Sequence, residues 1–401
     1  MVFMSGPRLY SALLREHFRS RRQMAFVTGP RQVGKTTTCR ELGDAYLSWD
    51  DANHRQLILA GPDVLAKSLE LEKIRERPPV VVFDELHKHR RWRDFLKGFF
   101  DVHGAKARIL VTGSSRLGLL RRGDSLLGRY FHFRMHPFSI GELLDPSLPP
   151  KSLTRPPRAL PEADFESLWT HGGFPEPYFK REAEFTTPWR RQRRELLLRE
   201  DARELTRVAD LGSLEVLGNI LHERSAQQIV MSNLASDLGV SAPTTKAWVE
   251  TLAALYIGFL VRPWFRSVAK SLRKEPKWYL RDWSGVADEG ARAETFVACH
   301  LLKAVETWED RGFGEFELRY LRDKDKREVD FVVVRDGKPW FLVEVKTSDD
   351  ALSPALAYFQ KQTGASHAFH AVMRAPFVAA DAFARKDPVV VPARTLLAQL
   401  P

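Results

Sequence analysis

The chain has 401 residues, of which 44% are hydrophobic and 28% charged, and its formal net charge is +11. This length supplies more than one hydrophobic core, so we expect several domains, and the basic balance favours a polyanionic partner. No apolar run reaches the roughly 18 residues of a membrane span, and Cys39 and Cys299 match neither a metal-binding spacing nor a disulfide framework. These features exclude a membrane-spanning protein and a disulfide-rich secreted module, and they predict a cytoplasmic protein.

The first third of the chain alternates short apolar runs with amphipathic segments. The runs of strand length are QMAFVTG, AYLSWDD, PVVVFDE, ARILVTGSS and YFHFRMHPFS. Such alternation is typical of a parallel sheet covered by helices. We therefore predict an α/β domain over residues 1–150, which ends at the proline-rich stretch from Asp145 to about Glu162.

A phosphate-binding motif follows the first apolar run. The stretch GPRQVGKTT satisfies G-x-x-x-x-G-K-[ST] between a predicted strand and a predicted helix. We expect backbone amides and the helix N-terminus to face the phosphates, Lys35 to reach the terminal phosphates and Thr36 to hold Mg²⁺. A chance glycine turn with an exposed lysine is the alternative. The predicted cofactor-binding residues are Gly29, Pro30, Arg31, Gln32, Val33, Gly34, Lys35, Thr36 and Thr37.

An acidic pair ends the apolar run VVVFDEL. A buried strand of a parallel sheet delivers such carboxylates to its C-terminal edge, where ligands bind. We expect Asp84 to hold Mg²⁺ through water and Glu85 to orient and deprotonate the attacking water. The alternative is a strand that simply ends in acids at the surface.

The run RILVTGSS ends in polar residues beside the acidic strand. One of them, Thr112, Ser114 or Ser115, is expected to contact the γ-phosphate or the attacking water, and Ser114 is our candidate. The run YLSWDD lies between the phosphate loop and the acidic strand, an order that resembles ATPases with a strand inserted between those two elements.

The whole series GPRQVGKT, VVVFDE, LVTGSS, SLLGR, HPFSIGE and GGFPEPY resembles the AAA-type ATPases of bacteria and archaea that carry a C-terminal domain of long-unassigned function. The resemblance covers nearly the whole chain and implies ATP, Mg²⁺, hydrolysis and a homo-oligomer. The family commonly has Ile-Gln after the acidic pair, whereas this chain has Leu86-His87.

In SLLGRYF, Arg129 lies where AAA-type enzymes often place an arginine that reaches the nucleotide of a neighbouring subunit. A structural arginine at a helix end is an equally good interpretation, and Arg121 and Arg122 compete for the role.

Residues 151–264 are predicted to be helical, with a winged-helix-like element at about 225–264. A helix through Ala235, a turn at Gly239-Val-Ser and a second helix with exposed Thr244, Thr245 and Lys246 have helix-turn-helix spacing. This element either contacts DNA or serves as a packing module. The basic run Trp189-Arg-Arg-Gln-Arg-Arg either follows phosphates or is a solvated helix face.

Residues 265–401 carry three charged groups in an apolar hairpin, REVDFVVVRDGKPWFLVEVK. If Arg335-Asp336-Gly337 forms a three-residue loop, Val334 is opposite Lys338, and Asp330, Glu344 and Lys346 share one face. A simple two-residue turn would instead send the two acids to opposite faces.

The spacing D-x13-E-x-K resembles the PD-(D/E)XK nuclease core, although Val329 replaces the expected proline. The resemblance implies a Mg²⁺ or Mn²⁺ site at Asp330 and Glu344, with Lys346 acting on water. It also implies Glu294 as a further ligand and Gln360 as a downstream contributor. A salt-bridged cluster without catalysis is the alternative.

We therefore predict an ATPase coupled to a DNA-associated, nuclease-like domain. The rival interpretation is an ATP-dependent regulatory protein whose nuclease-like domain is catalytically inert.

Overall fold

The structure is a computed structural model that describes residues 6–113, 126–147, 151–202, 211–265 and 274–401. The contacts of these residues divide them into two compact units. One contains the described residues up to His136 together with Pro146 and Ser147, and the other contains Pro137–Asp145 and the described residues from Lys151 onward. The division into domains 1–150, 151–264 and 265–401 stays a prediction.

The first unit is an α/β unit with a five-stranded sheet. Its elements are α1 (Leu9–Ser20), β1 (Met24–Thr28), α2 (Lys35–Leu42), β2 (Ala45–Ser48), α3 (Ala52–Leu59), α4 (Pro62–Ser68), β3 (Val80–Asp84), a 3₁₀ turn (Leu86–Lys88), α5 (Trp92–His103), β4 (Arg108–Thr112) and β5 (Tyr130–Arg134). The strands stand in the order β2-β3-β4-β1-β5 and every pair is parallel. Thus β4 separates β1 from β3, while β2 lies at the edge.

The strands of this sheet are apolar because a parallel sheet is normally covered on both faces. Every residue of β1 and β3 is buried. Two rings of α5, Phe95 and Phe99, pack edge-on against Phe83 of β3 at 5.7 and 5.5 Å between centroids. All five strands end at one edge of the sheet, so the loop after β1 and the acid that ends β3 lie at that same edge. The predicted parallel sheet is confirmed.

The second unit begins with helices. Its helical part consists of α6 (Ile140–Leu144), α7 (Glu162–His171), α8 (Pro175–Lys180), α9 (Ala183–Leu196), a π-helical turn (Leu197–Asp201), α10 (Leu211–Glu223), β6 (Gln227–Gln228), α11 (Met231–Leu238) and α12 (Ala242–Ala254). Leucines of α10 pack with Leu234 of α11 and with Trp248 and Val249 of α12 in one core. No helix in the described ranges is both long and apolar enough to cross a membrane.

The remainder of this unit is strand-rich. It contains β7 (Gly258–Pro263), β8 (Lys277–Leu280), a 3₁₀ turn (Trp283–Gly285), α13 (Glu289–Asp310), β9 (Phe316–Arg322), β10 (Glu328–Arg335), β11 (Lys338–Lys346), α14 (Pro354–Thr363), β12 (His367–Val372), a 3₁₀ turn (Ala382–Ala384), β13 (Val389–Pro392) and α15 (Ala393–Ala398).

These strands form one mixed sheet in the order β13-β12-β11-β10-β9-β7-β8-β6. The hairpins β9-β10 and β10-β11 are antiparallel, whereas β11, β12 and β13 are parallel. Phe296 and Trp308 of α13 belong to the core that includes Phe331 and Val343, while Phe359 of α14 packs in a separate core with Val332. The antiparallel hairpin therefore lies between two helix-lined cores.

Candidate functional site

The loop between β1 and α2 curls tightly at its glycines. Gly29 has φ +151°, and a Cβ built there would lie 2.2 Å from the carbonyl oxygen of Met135. Gly34, the residue before α2, has φ +97°, and Gln32 is also left-handed at φ 62°. Only a residue without a side chain fits the close approach at Gly29, so the loop conformation explains this glycine of the motif.

The amine of Lys35 lies inside this loop. Its Nζ donates to the carbonyl oxygens of Gly29 at 2.9 Å and Pro30 at 2.7 Å, and the residue is 8% exposed. Burial lowers the pKa of Lys35 to about 8, against the charges of Glu85 and Asp84. The amine therefore stands among the loop atoms that curl around a bound phosphate in such motifs.

Asp84 joins two hydroxyl groups at the edge of the sheet. Thr36 Oγ1 donates to its Oδ2 at 3.2 Å and the hydroxyl of Tyr46 donates to the same atom at 2.5 Å. Burial raises the pKa of Asp84 despite these bonds. Its other oxygen, Oδ1, is buried and has no hydrogen-bond partner among the described residues. A buried carboxylate oxygen without a partner beside a threonine hydroxyl fits a hard cation such as Mg²⁺.

Glu85 follows Asp84 in a left-handed conformation, with φ 55°. Its Oε2 lies 3.6 Å from Nε2 of His87 and 3.5 Å from Nζ of Lys88. Burial raises the pKa of Glu85, and the charge of Asp84 adds to this effect. A non-glycine residue held in this region of φ stores strain, which is common at functional sites.

Of the remaining predicted residues of the first unit, some lie near the acidic pair, one lies at the opposite sheet edge and others are not described. Thr112 is buried at the end of β4, in register with Asp84, whereas Ser114, Arg121 and Arg122 lie outside the described residues. Arg129 precedes β5, at the sheet edge opposite the phosphate loop, and donates to both oxygens of Asp101 at 2.8 and 3.1 Å. Its role at a neighbouring subunit stays a prediction.

Sequence reasoning missed two residues that support this site. Tyr46 of β2 bonds to Asp84, as described, and Arg8 donates to the carbonyl oxygens of Val33 and His136, the latter at 2.6 Å. Arg8 is only 5% exposed. No local motif marks either residue, because each reaches the site from a distant part of the chain.

In the second unit, the hairpin turn differs from our prediction. The three-residue loop with Val334 opposite Lys338 is wrong: Arg335 is opposite Lys338, and Asp336 and Gly337 form a two-residue turn with φ 50° and 76°. Two successive left-handed residues match a type I′ turn, which fits the twist of antiparallel strands.

A β-bulge in the hairpin places Asp330 and Glu344 on the same face, which was predicted from a three-residue loop. Val334 is opposite Pro339 but Val333 is opposite Phe341, so Trp340 is an additional residue in β11. Beyond this bulge the backbone amide of Val345 donates to Oδ2 of Asp330 at 2.9 Å. The two acids, Asp330 and Glu344, are brought together by the bulge rather than by the loop.

A lysine that the sequence analysis did not identify lies within this acidic cluster. Nζ of Lys277, on β8, is 2.6 Å from Glu328, 2.9 Å from Glu294 and 3.4 Å from Asp330. Its side chain is 5% exposed. Burial alone lowers the pKa of Lys277, but the three carboxylates outweigh it and raise that pKa. The hydroxyl of Tyr279 donates to the same oxygen of Glu294 at 2.5 Å.

Glu344 and Lys346 form the other side of the acidic cluster. Nζ of Lys346 is 3.1 Å from Oε1 of Glu344, while Oε2 of that carboxylate is buried without a hydrogen-bond partner among the described residues. Burial raises the pKa of Asp330, and the charge of Glu344 adds to it. Gln360 does not join them, because its amide donates to the carbonyls of Ala365 and Lys386.

A metal role for the acidic cluster stays a prediction. Within the described ranges, no three His, Cys, Asp or Glu side chains are grouped in a way that could hold a metal ion. Burial and the charge of Asp330 raise the pKa of Glu294. The orphaned oxygen of Glu344 fits a cation, whereas three of the acids already form ion pairs with the single amine of Lys277.

The predicted helix-turn-helix has its expected elements. Gly239 ends α11 with φ 65°, and the hydroxyl of Ser241 caps α12 by accepting from the backbone amide of Thr244 at 3.2 Å. Lys246 is exposed, but Thr245, expected to be exposed, is fully buried. β6, β8 and β7 form an antiparallel ribbon. The winged-helix assignment stays a prediction.

The basic run on α9 divides between the core and solvent. The guanidinium of Arg193 is 4.0 Å from the ring centroid of Phe174, and Trp189 is buried beside it. In contrast, the guanidinium groups of Arg191 and Arg194 make no hydrogen bond or ion pair with the described residues.

Several of these arginines line a cavity of about 280 Å³ in the second unit. Arg190, Arg194 and His222 are among its lining residues, and Arg190 donates to the carbonyl of Ser284. Burial lowers the pKa of His222, and the charges of Arg194 and Arg190 lower it further. Among the described lining residues, the cavity therefore combines several arginines with one acid, Asp282.

Comparison with known proteins finds a family match near the start of the chain. Residues 21–144 match the family model described as an AAA domain. This part of the chain is similar to AAA domains. The matched residues include the phosphate loop and the acidic pair, so the match supports the prediction of an AAA-type P-loop module, while the roles of individual residues stay predictions.

The rest of the chain matches families without a described activity. Residues 162–287 match a domain of unknown function (DUF8612), and residues 289–378 match another (DUF4143). The nuclease likeness therefore stays a prediction.

Two curated relatives are uncharacterized proteins of Mycobacterium bovis and Mycobacterium tuberculosis. Each is 24% identical over 355 residues, which cover 84% of this chain and 73% of the relative. A solved structure, that of PCH-2 from C. elegans, is 13% identical with a TM-score of 0.24, and the match covers 61% of this chain and 65% of that one. A TM-score this low supports no conclusion about fold or function.

Proposed function

We propose that this chain binds ATP with Mg²⁺ at the phosphate loop and hydrolyses it. The observation that carries this proposal is the meeting of Lys35, Thr36 and Asp84 at one edge of the sheet, with Glu85 as the next residue. The match of residues 21–144 to an AAA domain supports a nucleotide as the ligand.

Each of these side chains has one task in the proposed reaction. Lys35 neutralises phosphate charge, and its loop carbonyl partners are replaced by phosphate oxygens when nucleotide binds. Thr36 and Asp84 would hold Mg²⁺, and the ion would supply positive charge that neutralises the phosphates. Glu85 accepts a proton from the attacking water, and its raised pKa favours this transfer near neutral pH.

A lysine variant tests the proposed nucleotide site. Lys35→Ala should lose ATP affinity, measured by calorimetry, together with turnover, because the amine acts in the bound state. Lys73→Ala is the matched control, since Lys73 is 65% exposed and is 2.7 Å from Glu70 on the surface. Equal ATP affinity of the two variants would contradict the proposal.

We also propose that the chain assembles as a homo-oligomer in which Arg129 acts across a subunit boundary. The AAA domain supports this proposal, because proteins of this type often supply an arginine to a neighbouring nucleotide. For such a role the guanidinium has to leave Asp101, its partner within the chain.

DNA is the partner that we propose for the second unit. The net charge of +11 supports a phosphate-bearing ligand, and so does Arg194, which lies beside Arg190, is half-buried and forms no ion pair with the described residues. The double variant Arg191→Gln/Arg194→Gln should bind a labelled 30-nucleotide strand and a duplex more weakly, measured by fluorescence anisotropy. The salt dependence of its DNA affinity should fall by about one to two charges.

Arg199→Gln is the control for the DNA experiment, because Arg199 lies on the next turn of the chain but pairs with Glu215 at 3.0 Å. If the double variant bound both DNA forms as tightly as the wild type, DNA binding by Arg191 and Arg194 would be contradicted.

For the C-terminal cluster we propose a Mg²⁺ or Mn²⁺ site that cuts DNA, held by Asp330, Glu344 and Glu294, with Lys346 positioning water. The orphaned oxygen of Glu344 supports it. The alternative, a regulatory protein with an inert cluster, is favoured by the ion pairs of Lys277. A DNA cleavage assay on a gel distinguishes the nuclease from the regulatory protein. Metal-dependent cleavage by the wild type that is lost in Asp330→Asn would support the nuclease.

A further inference from the structure

The cavity of about 280 Å³ in the second unit, which we call the arginine cavity, has two arginines on one face of a helix. Arg190 and Arg194 stand four residues apart on α9, so they lie on the same side of this helix. Thr187 and Leu197, which also line the cavity, extend this face in each direction. Two like charges at this spacing repel each other, and a bound anion would remove that repulsion.

Among the described residues, no acid forms an ion pair with either arginine of this face. Arg194 makes no hydrogen bond, and Arg190 donates to the carbonyl oxygen of Ser284. The acid among the described lining residues, Asp282, is held by Ser284 instead, because its Oδ1 accepts from the backbone amide at 3.2 Å and from the hydroxyl at 2.6 Å. The positive charge of the two guanidinium groups is therefore left for a ligand.

His222 of α10 adds an imidazole to the same cavity. Its ring makes no hydrogen bond with the described residues and packs against the backbone of Gly285, where a built Cβ would lie 3.1 Å from Cε1 of the ring. Burial lowers the pKa of His222 and the two arginines lower it further, whereas Asp282 and Glu223 raise it. The imidazole is therefore neutral near pH 7, and an anion that offsets the arginines favours its protonated form.

The size of the cavity favours a single charged group as the ligand. Its volume of about 280 Å³ lies just below the range, roughly 300–1,000 Å³, of pockets that hold drug-sized molecules. An internal phosphodiester would have to enter together with the nucleotides on both sides, whereas a terminal phosphate is attached on one side only. A planar guanidinium group matches two oxygens of a phosphate with two parallel hydrogen bonds.

We propose that the arginine cavity binds a phosphate monoester, with Arg190 and Arg194 neutralising the phosphate and His222 donating a hydrogen bond to it. The inference builds on the proposed DNA surface, with which it shares Arg194, and it specifies the kind of phosphate that the cavity takes. Such a group is present at the end of a DNA strand and in a free mononucleotide.

The pKa of His222, measured by NMR titration of the full chain, tests the inference. It should rise by about 1 or more in saturating inorganic phosphate, because a nearby anion favours the charged ring. This local signal also separates the cavity from the phosphate loop, which can bind the same ion. The spectrum of His222→Gln assigns the signal among the 12 histidines. An unchanged pKa of His222 in phosphate would overturn the inference.

Two variants check that the arginine cavity causes the rise. Arg194→Gln should lose most of it, and this substitution removes no hydrogen bond or ion pair with the described residues. Arg199→Gln is the matched control and should keep the whole rise, because Arg199 pairs with Glu215 at 3.0 Å. An equal rise in Arg194→Gln and in the control would contradict the role of Arg194.

Labelled strands of one sequence, with and without a 5′-phosphate, distinguish the two sources of the ligand. If the ligand is a strand end, the 5′-phosphate should tighten binding by about tenfold, and His222→Gln should lose this gain. If His222 responds to inorganic phosphate and adenosine monophosphate without such a gain, the ligand is a free phosphate ester and the site stands. If neither strand binds, the proposed DNA contact fails, while the response of His222 to inorganic phosphate still decides the inference.

Discussion

His300 should make the second unit sensitive to mild acid. This residue of α13 is 2% exposed, its Nε2 accepts from the backbone amide of Ile140 at 3.1 Å and its Nδ1 faces the carbonyl oxygen of Phe296 at 2.8 Å. One ring nitrogen therefore has to donate and the other to accept, which only the neutral ring can do. Burial lowers the pKa of His300 from 6.5 to about 3.

The sign and size of the effect follow from that pKa. Between pH 6.5 and about 3 the unfolded chain binds a proton at His300 that the folded chain does not, so stability is lost as the pH falls. At pH 5.5 the loss is about 1.4 kcal/mol, or a factor of about ten in the opening equilibrium. Glu294, on the same helix, acts in the opposite direction, because burial raises its pKa.

Hydrogen exchange of the α13 amides at pH 5.5 and 7.5, corrected for intrinsic rates, measures this effect. His300→Gln removes the titration and isolates it from that of Glu294. The wild type should lose about tenfold more protection than His300→Gln on acidification. Equal losses of protection in the two proteins would refute the reasoning.

Three further predictions concern buried contacts and assembly. Lys303→Met should destabilise the chain by about 3–5 kcal/mol in urea unfolding, because it removes the ion pair of the buried Glu142. Adding Glu142→Leu to this variant should recover most of the lost stability. Gly29→Ala should weaken ATP binding by about 1–3 kcal/mol in calorimetry, because the alanine Cβ would lie 2.2 Å from the carbonyl oxygen of Met135. Unchanged ATP affinity would show that the loop can shift to accept the methyl group. If Arg129 acts across a subunit boundary, turnover per chain should rise with protein concentration, and Arg129→Ala should remove this rise. An unchanged rise would favour a structural Arg129.

The phosphate site was predictable because its signals are local. The spacing from Gly29 to Thr36 and the acids at the end of an apolar run each report a nearby backbone conformation, and the structure brings Lys35, Thr36 and Asp84 together. Tyr46 was not predictable, since nothing in its surroundings shows that β2 lies beside β3.

The C-terminal cluster was only partly predictable. The placement of Asp330 and Glu344 on one face of the hairpin was predicted from a three-residue loop, but in the structure it results from a bulge at Trp340. No turn residue in the sequence indicates this bulge. Lys277 precedes Asp330 by 53 residues, and a single lysine beginning an aromatic strand resembles an ordinary surface residue. Its burial results from long-range packing, which local patterns do not contain.

The central claim, ATP hydrolysis at the phosphate loop and the acidic pair, is tested most directly by Glu85→Gln. ATP affinity and turnover are measured side by side for this variant, the wild type and Glu76→Gln, a control at an exposed acid. We predict an ATP affinity within about threefold of the wild type and a turnover reduced by about 10²–10⁴, because Glu85 acts on water only during the reaction. Turnover equal to that of the wild type would contradict the account.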